Sequence, residues 1–360
     1  MLACTNHILV INPGSTSTKI AVYRGAQSMF QKNIVHSEDD LSIFENIADQ
    51  FEFRKSIILK ELRDNGVDLD CIEIVMGRGG LIKPVPSGVI AVNERLKEDL
   101  RNSPLGEHAS NLGGLIADDI AQSLPNANAY IADPVVVDEF DDLARITGHP
   151  ILERKSIFHA LNQKAIAYDY ARAINTPYKE LNLIVVHMGG GVTVGAHHKG
   201  RVIDVNQGLD GDGPFSPERT GSLPVGGVIG LCFSGEYTEK EVRKMVTGKG
   251  GLVAYFNSND ARQIEGMAKA GDENAKLIYE AMAYQVAKEI GAMATVLFSN
   301  VDAILLTGGL AYSRYFIELI SDRVKNLAPI HVFPGEDEMK ALAKNGVKVF
   351  MGEIEPMIYK

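Results

Sequence analysis

The sequence predicts an α/β protein made of two related domains, and three observations lead there. Runs of β-branched residues alternate with segments whose apolar residues recur at helical spacing. The opening segment His7–Gly25 can be laid without gaps on Asn182–Gly200, an offset of 175 residues (182 − 7). Gly14 then falls on Gly189, Gly25 on Gly200, Val10 on Val185, Thr18 on Thr193 and Ala21 on Ala196. Finally, 360 residues are too many for one comfortable core. Any two hairpins share alternation and turn glycines, but the match of both glycines at nearly half the chain length favours duplication. The expected domains are 1–155, completed by residues 340–360, and 156–339.

The N-terminus reads as strand, turn and strand: His7–Asn12, Pro13–Thr18 and Lys19–Tyr23. β-Branched residues fill both arms, and Pro-Gly-Ser supplies the turn. Ser37–Asp64 carries Leu41, Phe44, Ile47, Ala48 and Phe51 at helical spacing and ends near Gly66, which predicts a helix. CIEIVMGRGG is a strand entering a glycine-rich loop, VIAV is another strand, and Asn93–Leu100 and Leu112–Leu124 are helices. AYIADPVVVDEF is a strand ending at Asp133-Pro134, and Ser156–Ile174 is helical. NLIVVHMGGGVTVGAHHKGRVID repeats the hairpin and adds a third strand. Helices follow near Thr238–Thr247, Asn259–Lys269 and Asp272–Ser299, the last rich in alanine and suited to close helix contacts. VDAILLTGGLAYSRYF is a buried-type strand, a double-glycine turn and a helix, and IHVFPGEDEMKALA is a strand, a turn and an acidic helix start.

Composition narrows the function classes. Hydrophobic residues make up 45% and charged residues 23%, without a low-complexity tract. The net charge is −10 with no basic run, a poor match for nucleic acid or an anionic membrane surface. An anion would have to be held at a locally built site. No uncharged apolar run is long enough to span a bilayer. Cys4, Cys71 and Cys232 are odd in number and far apart, which fits a reducing compartment without a disulfide framework or a thiolate zinc site. The start MLACT has the look of a lipoprotein cleavage box ending at Cys4, but neither a basic region nor an apolar segment precedes it. A cytoplasmic protein is expected.

Four groups of residues are candidates for chemistry. Asn12-Pro-Gly-Ser-Thr-Ser-Thr-Lys19 lacks the second glycine of a P-loop and leads into a strand rather than a helix. Such a strand-turn-strand can still aim backbone N–H groups, Ser15, Ser17 and Lys19 at a phosphate, with Asn12 near a metal or substrate oxygen. A plain hairpin whose hydroxyls satisfy their own backbone reads the same way. His187-Met-Gly-Gly-Gly191 fails the dinucleotide fingerprint, yet Gly189, Gly190 and Gly191 let the backbone approach a ligand at the duplicated position. Thr307-Gly-Gly-Leu-Ala-Tyr-Ser313 puts Gly308 and Gly309 between a buried strand and a helix, where they expose N–H groups to an anion or ease helix–sheet packing. Arg78 and Arg219 lie in turn-rich loops, where a guanidinium fork suits a carboxylate or phosphate and equally well a solvated surface. His108, Asp133 and His159 stand beside turns and read as site, turn or core residues.

Together these motifs resemble the acetate kinase family, and within it the butyrate kinases. The family opens with a strand, Asn-x-Gly-Ser-Ser-Ser-x-Lys and a strand, against Asn12–Lys19 here. Its His-Leu-Gly-Asn-Gly loop is matched by His187–Gly191, and its adenosine loop by Gly308–Ser313. The resemblance covers almost the whole chain in order. It implies two duplicated actin/Hsp70-like ATPase domains with ribonuclease H-like cores and an active-site cleft between them. It also implies reversible transfer of the γ-phosphoryl group of ATP, with Mg²⁺, to the carboxylate of butyrate or a branched short-chain acid. Carried over by position, Arg78 clamps the substrate carboxylate, with Gly80, His108 and Phe158 around the substrate. Arg219 and His159 neutralise the migrating phosphoryl group, and Asp133 is the catalytic aspartate. A carboxylate is already nucleophilic, so Asp133 orients a metal-bound water or an arginine rather than removing a proton. Asn12, Ser15, Ser17, Lys19, His187 and Gly189–Gly191 meet the phosphates, and Gly308, Gly309 and Tyr312 the adenosine. The family's Asp-Phe-Arg is kept in part as Asp260-Ala261-Arg262. The acidic magnesium residue is Asp337 or Glu338, beside Asn12 in role. Gly79 and Gly80 stand where acetate kinases carry bulk shortly after the arginine, which is expected to leave room for a longer acyl tail. A homodimer or larger assembly is implied too. The alternatives are an acetate or propionate kinase and a non-enzymatic ATP-driven protein of the Hsp70 or actin type.

Overall fold

The computed structural model describes residues 7–360, so Cys4 lies outside the described residues. The chain forms two compact units: one reaches Val137 and is resumed by Asp337–Lys360, and the other is Asp138–Glu336. The sequence reading puts these joints at 155/156 and 339/340.

The first unit is built on a seven-stranded sheet. β1 (His7–Pro13), β2 (Ser17–Arg24) and β3 (Gln27–Val35) form an antiparallel meander. On the other side of β1, β4 (Ile72–Arg78) runs parallel to it. Beyond β4 come β5 (Val89–Ala91), β6 (Asn128–Ala132) and the C-terminal strand Met357–Ile358, in the order C-terminal strand, β5, β6, β4, β1, β2, β3. Leu9, Ile11, Ile20 and Val75 face helices Phe51–Asp64 and Asn111–Gln122 through Ile58, Leu62, Leu112 and Ile116. The opposite face carries Ile8 and Met76, which meet Gly346 of helix Glu338–Phe350. Tyr359 anchors the C-terminus by donating its buried hydroxyl to Asp99 at 2.7 Å.

The helix expected over Ser37–Asp64 is interrupted. It is a short helix Glu38–Ser42, a 3₁₀ turn Ile47–Gln50 and a helix Phe51–Asp64. The cause is two capping boxes, Ser37 with Asp40 and Asn46 with Asp49, which restart the chain twice. Likewise the helix expected from Ser156 begins only at Ala160, with His159 as its N-cap.

The second unit repeats the pattern. β7 (Asn182–Met188), β8 (Val192–His198) and β9 (Arg201–Val205) form the meander. β10 (Ala303–Gly308) is parallel to β7 and to β11 (Ile330–Pro334). The order β11–β10–β7–β8–β9 matches β6–β4–β1–β2–β3, so the duplication is present in the topology. The gap-free offset does not survive the turn, however. Pro13 pairs with Thr18 but Met188 pairs with Val192, so the second loop is one residue shorter. β7 is buried on both faces, which is why LIVV (Leu183–Val186) reads as an unbroken apolar run. Ile184 and Val186 pack against helix Glu273–Val296, while Leu183 and Val185 pack against helix Ala160–Ala173.

Among the described residues no helix is long and apolar enough to cross a membrane. Cys232 is exposed and free. Cys71 is disulfide-bonded, a cross-link absent from the sequence reading.

Candidate active site

In the first unit the Gly14–Ser17 loop presents its N–H face outward. The Gly14 N–H donates to the Ser17 carbonyl at 2.7 Å, and the His36 N–H takes the Thr16 carbonyl at 2.9 Å. The remaining loop carbonyls are held from below by Arg54, which sequence reasoning missed. Its Nη1 donates to the carbonyls of Gly14 (2.8 Å) and Ser17 (3.1 Å) and to Thr18 Oγ1 (3.0 Å). Its Nη2 donates to the Ser15 carbonyl at 3.0 Å. Gln50 Oε1 fixes the guanidinium, accepting from Nε at 3.0 Å and Nη2 at 2.8 Å. Arg54 is 1% exposed, and burial lowers its pKa to about 10, so it stays protonated at neutral pH. Among the described residues, the N–H groups of Ser15 and Thr16 have no acceptor. A signal for Arg54 was available: it occupies the same helical stripe as Ile58 and Leu62, the only charge among buried neighbours of that helix.

At the ends of β1 and β4 the structure brings three expected residues together. Arg78 forms a fork on the Glu338 carboxylate, Nη2 to Oε1 at 2.8 Å and Nη1 to Oε2 at 2.9 Å. Asn12 Nδ2 donates to Glu338 Oε2 at 2.7 Å, and Asn12 Oδ1 accepts from Arg78 Nη1 at 3.3 Å. Asp337 is placed differently: its Oδ1 caps the helix by accepting from the Lys340 N–H. Asp133 is buried, has φ of 38°, and its Oδ1 accepts from Ser87 Oγ at 2.7 Å and the Gly88 N–H at 2.8 Å. His108 Nδ1 bonds Ser110 Oγ at 2.8 Å. The room expected at Gly79 and Gly80 is taken by the protein itself. A Cβ on Gly79 would lie 2.6 Å from Pro134 Cβ, and one on Gly80 2.3 Å from Asn111 Oδ1. These glycines serve internal packing rather than an acyl tail.

In the second unit the His159 and His187 rings stack at 3.8 Å. His187 Nδ1 bonds Asn162 Oδ1 at 2.8 Å, and its Nε2 lies 3.3 Å from Glu336 Oε2. His159 Nδ1 lies 2.9 Å from Thr193 Oγ1, at the end of a buried chain of polar groups. Gln163 Nε2 faces two oxygens of Thr193, the hydroxyl at 2.9 Å and the carbonyl at 3.1 Å. The carbonyl can only accept, so the Gln163 amide is oriented and its oxygen faces His197 Nε2 at 2.9 Å. His197 therefore carries its proton on Nε2 and accepts the Tyr178 hydroxyl at Nδ1, at 2.7 Å. Complete burial holds its pKa well below the usual histidine range. Thr193 Oγ1 accepts from Gln163, and its own buried hydrogen finds its acceptor in His159 Nδ1. With that bond made, the His159 hydrogen sits on Nε2. Phe158, beside it, is buried.

The glycine turn that follows β7 is shaped by Arg219. The Gly189 N–H donates to the Gly191 carbonyl at 2.9 Å. A Cβ on Gly191 would lie 2.0 Å from Arg219 Nη1, so the missing side chain makes room for the guanidinium. Arg219 Nη1 donates to the Gly208 carbonyl at 2.6 Å, and burial lowers its pKa. Ser216 Oγ donates to the Gly190 carbonyl at 2.6 Å and joins the turn to the arginine's loop.

Beside this turn is a cavity of about 1030 Å³. Its walls include Gly189, Gly190, Asp260, Arg262, Gly309 and Tyr312, all expected at the nucleotide. Asp260 caps helix Ala261–Lys269, and Arg262 on its first turn is largely exposed. Gly308 has φ of 91°, and a Cβ there would lie 2.4 Å from the Met188 carbonyl. The cavity is also lined by Glu265, Tyr279 and Ser313, which the sequence reading did not single out. The Tyr279 hydroxyl donates to Glu265 at 3.0 Å. Lys19 is exposed on β2.

Residues 147–348 match the Acetokinase family. The chain is 53% identical over 353 residues to butyrate kinase 2 of Clostridium acetobutylicum, covering 98% of this chain and 99% of that protein. It is 52% identical over 353 residues to butyrate kinase 1 of the same organism, with the same coverage. Among solved structures, Porphyromonas gingivalis acetate kinase superposes with a TM-score of 0.76 at 18% identity, over 96% of this chain and 100% of that one. A propionate kinase from Francisella tularensis gives 0.73 at 19% identity, over 94% and 98%. These two share the fold described above.

Proposed function

The chain belongs to the acetokinase family, and on that premise we propose that it transfers the γ-phosphoryl group of ATP to butyrate or a branched short-chain acid. The products are an acyl phosphate and ADP, and the reaction is reversible. The observation that carries this reading is the full-length similarity at 53% identity to a butyrate kinase.

The local geometry is suited to the chemistry. Both reactants are anions, so positioning and charge neutralisation do most of the work. Arg78 already holds a carboxylate in a two-point fork, that of Glu338. Substrate binding in this reading exchanges Glu338 for the acid at the same guanidinium, with the fork geometry unchanged. Arg219 and the Nε2–H of His159 neutralise the equatorial oxygens of the migrating group. The Ser15 and Thr16 N–H groups, Ser17 and Lys19 meet the nucleotide phosphates, and the 1030 Å³ cavity takes the adenosine. Asp133, with one oxygen fully engaged by Ser87 and Gly88, orients its surroundings and is not needed as a base.

Among the described residues no cluster of three acidic, His or Cys side chains could hold a metal by itself. Magnesium commonly binds through one or two carboxylates together with substrate phosphates, and Glu338 with Asn12 suits that mode. When bound with ATP it supplies charge neutralisation at the phosphates. A cytoplasmic site of action and a homodimer or larger assembly belong to the same reading.

The acyl preference is tested by steady-state kinetics with acetate, propionate, butyrate and isobutyrate. Two extra buried methylenes are worth about 1.6 kcal/mol, roughly tenfold in kcat/KM for butyrate over acetate. A clear preference for acetate overturns the acyl assignment. Acyl hydroxamate should form from ATP, butyrate and hydroxylamine, and its absence with every acid points to a non-enzymatic ATP-driven protein.

A further inference from the structure

Arg54 is a fully buried cation that the reaction as described does not use. Among the described residues it pairs with no carboxylate. All five of its N–H donors go to oxygens: those of Gln50 and Thr18, and the backbone carbonyls of Gly14, Ser15 and Ser17. A buried charge without a counter-charge is costly, so its retention calls for a compensating role. The arrangement supplies one. With three loop carbonyls pulled onto the guanidinium and the Thr16 carbonyl taken by the His36 N–H, every carbonyl from Gly14 to Ser17 points into the protein. The N–H groups of Ser15 and Thr16 are left on the exposed side without acceptors. Consecutive outward N–H groups over a buried positive charge make a cradle for an anion.

We propose that Arg54 is the positioning residue of this loop: it holds the carbonyls inward so that the Ser15 and Thr16 N–H groups bind nucleotide phosphate, and it supplies the positive charge behind them. This rests on the phosphoryl-transfer reading of the chain. Thr18 links the cradle to its surroundings. Its hydroxyl accepts from Arg54 and lies 2.9 Å from His36 Nε2. Burial, then the Arg54 charge, lower the His36 pKa, which favours the neutral ring beside the Thr18 hydroxyl. Lysine cannot replace Arg54, because a single ammonium cannot span carbonyls on three residues.

The test compares wild type, Arg54→Lys, Arg54→Met and the milder Gln50→Ala, which loosens the same guanidinium. KM for ATP should rise about tenfold in Arg54→Lys and more in Arg54→Met, with KM for butyrate within twofold of wild type. Gln50→Ala should show a smaller rise of the same kind. A purely structural role predicts lower thermal stability and less active enzyme, with both KM values unchanged, and that result overturns the proposal. The wild-type protein gives a measurement independent of the variants' folding. In ¹⁵N spectra, titration with ATP or with tripolyphosphate should shift the Ser15 and Thr16 amide signals at saturating concentration. Amide signals that stay in place also overturn the proposal. A wild type that phosphorylates no short acid, yet shows these shifts, removes the kinase reading and leaves the anion cradle standing.

Discussion

Thr193 decides which face His159 presents to a ligand. Its hydroxyl accepts from Gln163 and donates to His159 Nδ1, so the imidazole hydrogen is fixed on Nε2. A lone pair at Nε2 would repel the oxygens of a migrating phosphoryl group, whereas an N–H attracts them. Thr193→Val keeps the shape and removes the hydroxyl, leaving the backbone carbonyl to hold Gln163. A buried hydrogen bond is worth about 0.5–1.5 kcal/mol, so kcat should fall roughly three- to tenfold with KM for ATP unchanged. Thr193→Ser should restore it, and ¹⁵N spectra should show His159 Nδ1 as the unprotonated nitrogen in wild type only. Equal activity in the valine variant would separate His159 from the Thr193 relay. None of this relay was legible in the sequence. Gln163 and Thr193 lie 30 residues apart, on a helix and a strand, and only their packing makes them partners. The turn glycines, Arg78 and Arg219 stood out in the sequence because close approach and a charge beside glycines leave marks on single positions, whereas Arg54, inside a helix, did not. Even there, Gly79 and Gly80 misled, since glycine records only that space is needed and not which atoms fill it.

At the scale of elements, the strands with β-branched runs were legible and the two hairpins matched. β3 was not legible, because QSMFQKNIV is mostly exposed and carries few β-branched residues, and neither was the short C-terminal strand Met357–Ile358. Helix Val225–Cys232 was not, because three glycines in an apolar run resemble a loop or strand more than a helix. Helix Glu273–Val296 was legible from its spacing, but the titration of Glu289 on it was not. Glu289 has its pKa raised from 4.5 to about 7, first by burial and then by Asp212 and Asp204, with Arg154 and Lys288 opposing. A carboxyl whose folded pKa is raised stabilises the fold while protonated. That stability is fully present below the unfolded value and is lost as pH rises to the folded value. The window is therefore about pH 4.5 to 7. Glu289→Gln fixes the neutral form. The difference in melting temperature, variant minus wild type, should grow more positive from pH 5 to pH 8. A difference independent of pH would mean that Glu289 ionises normally in the folded protein.

At the scale of the whole molecule, the first unit is discontinuous in sequence and the second is not. Residues up to Val137 supply six strands of the first sheet, but helix Glu338–Phe350 and the strand Met357–Ile358 arrive only after Glu336. That helix buries Met339 and Leu342 completely or nearly so, and Gly346 sits against Ile8 and Met76 of the central strands. Burying one such large side chain contributes about 1.5–3 kcal/mol, so Met339 and Leu342 alone supply roughly 3–6 kcal/mol. Set against a typical domain stability of about 5–15 kcal/mol, that is too much to lose. Tyr359 adds its buried bonds to Asp99, and its carbonyl accepts from Asn93 Nδ2 at 2.9 Å. The second unit carries its own two-sided core from Ala167 to Ala328 within one continuous stretch. A fragment of residues 138–336 should therefore unfold cooperatively on heating. A fragment of residues 1–137 should show no cooperative transition, and adding a peptide of residues 337–360 should restore one. A sharp melt for 1–137 alone would show that the returning segment is dispensable for the first core.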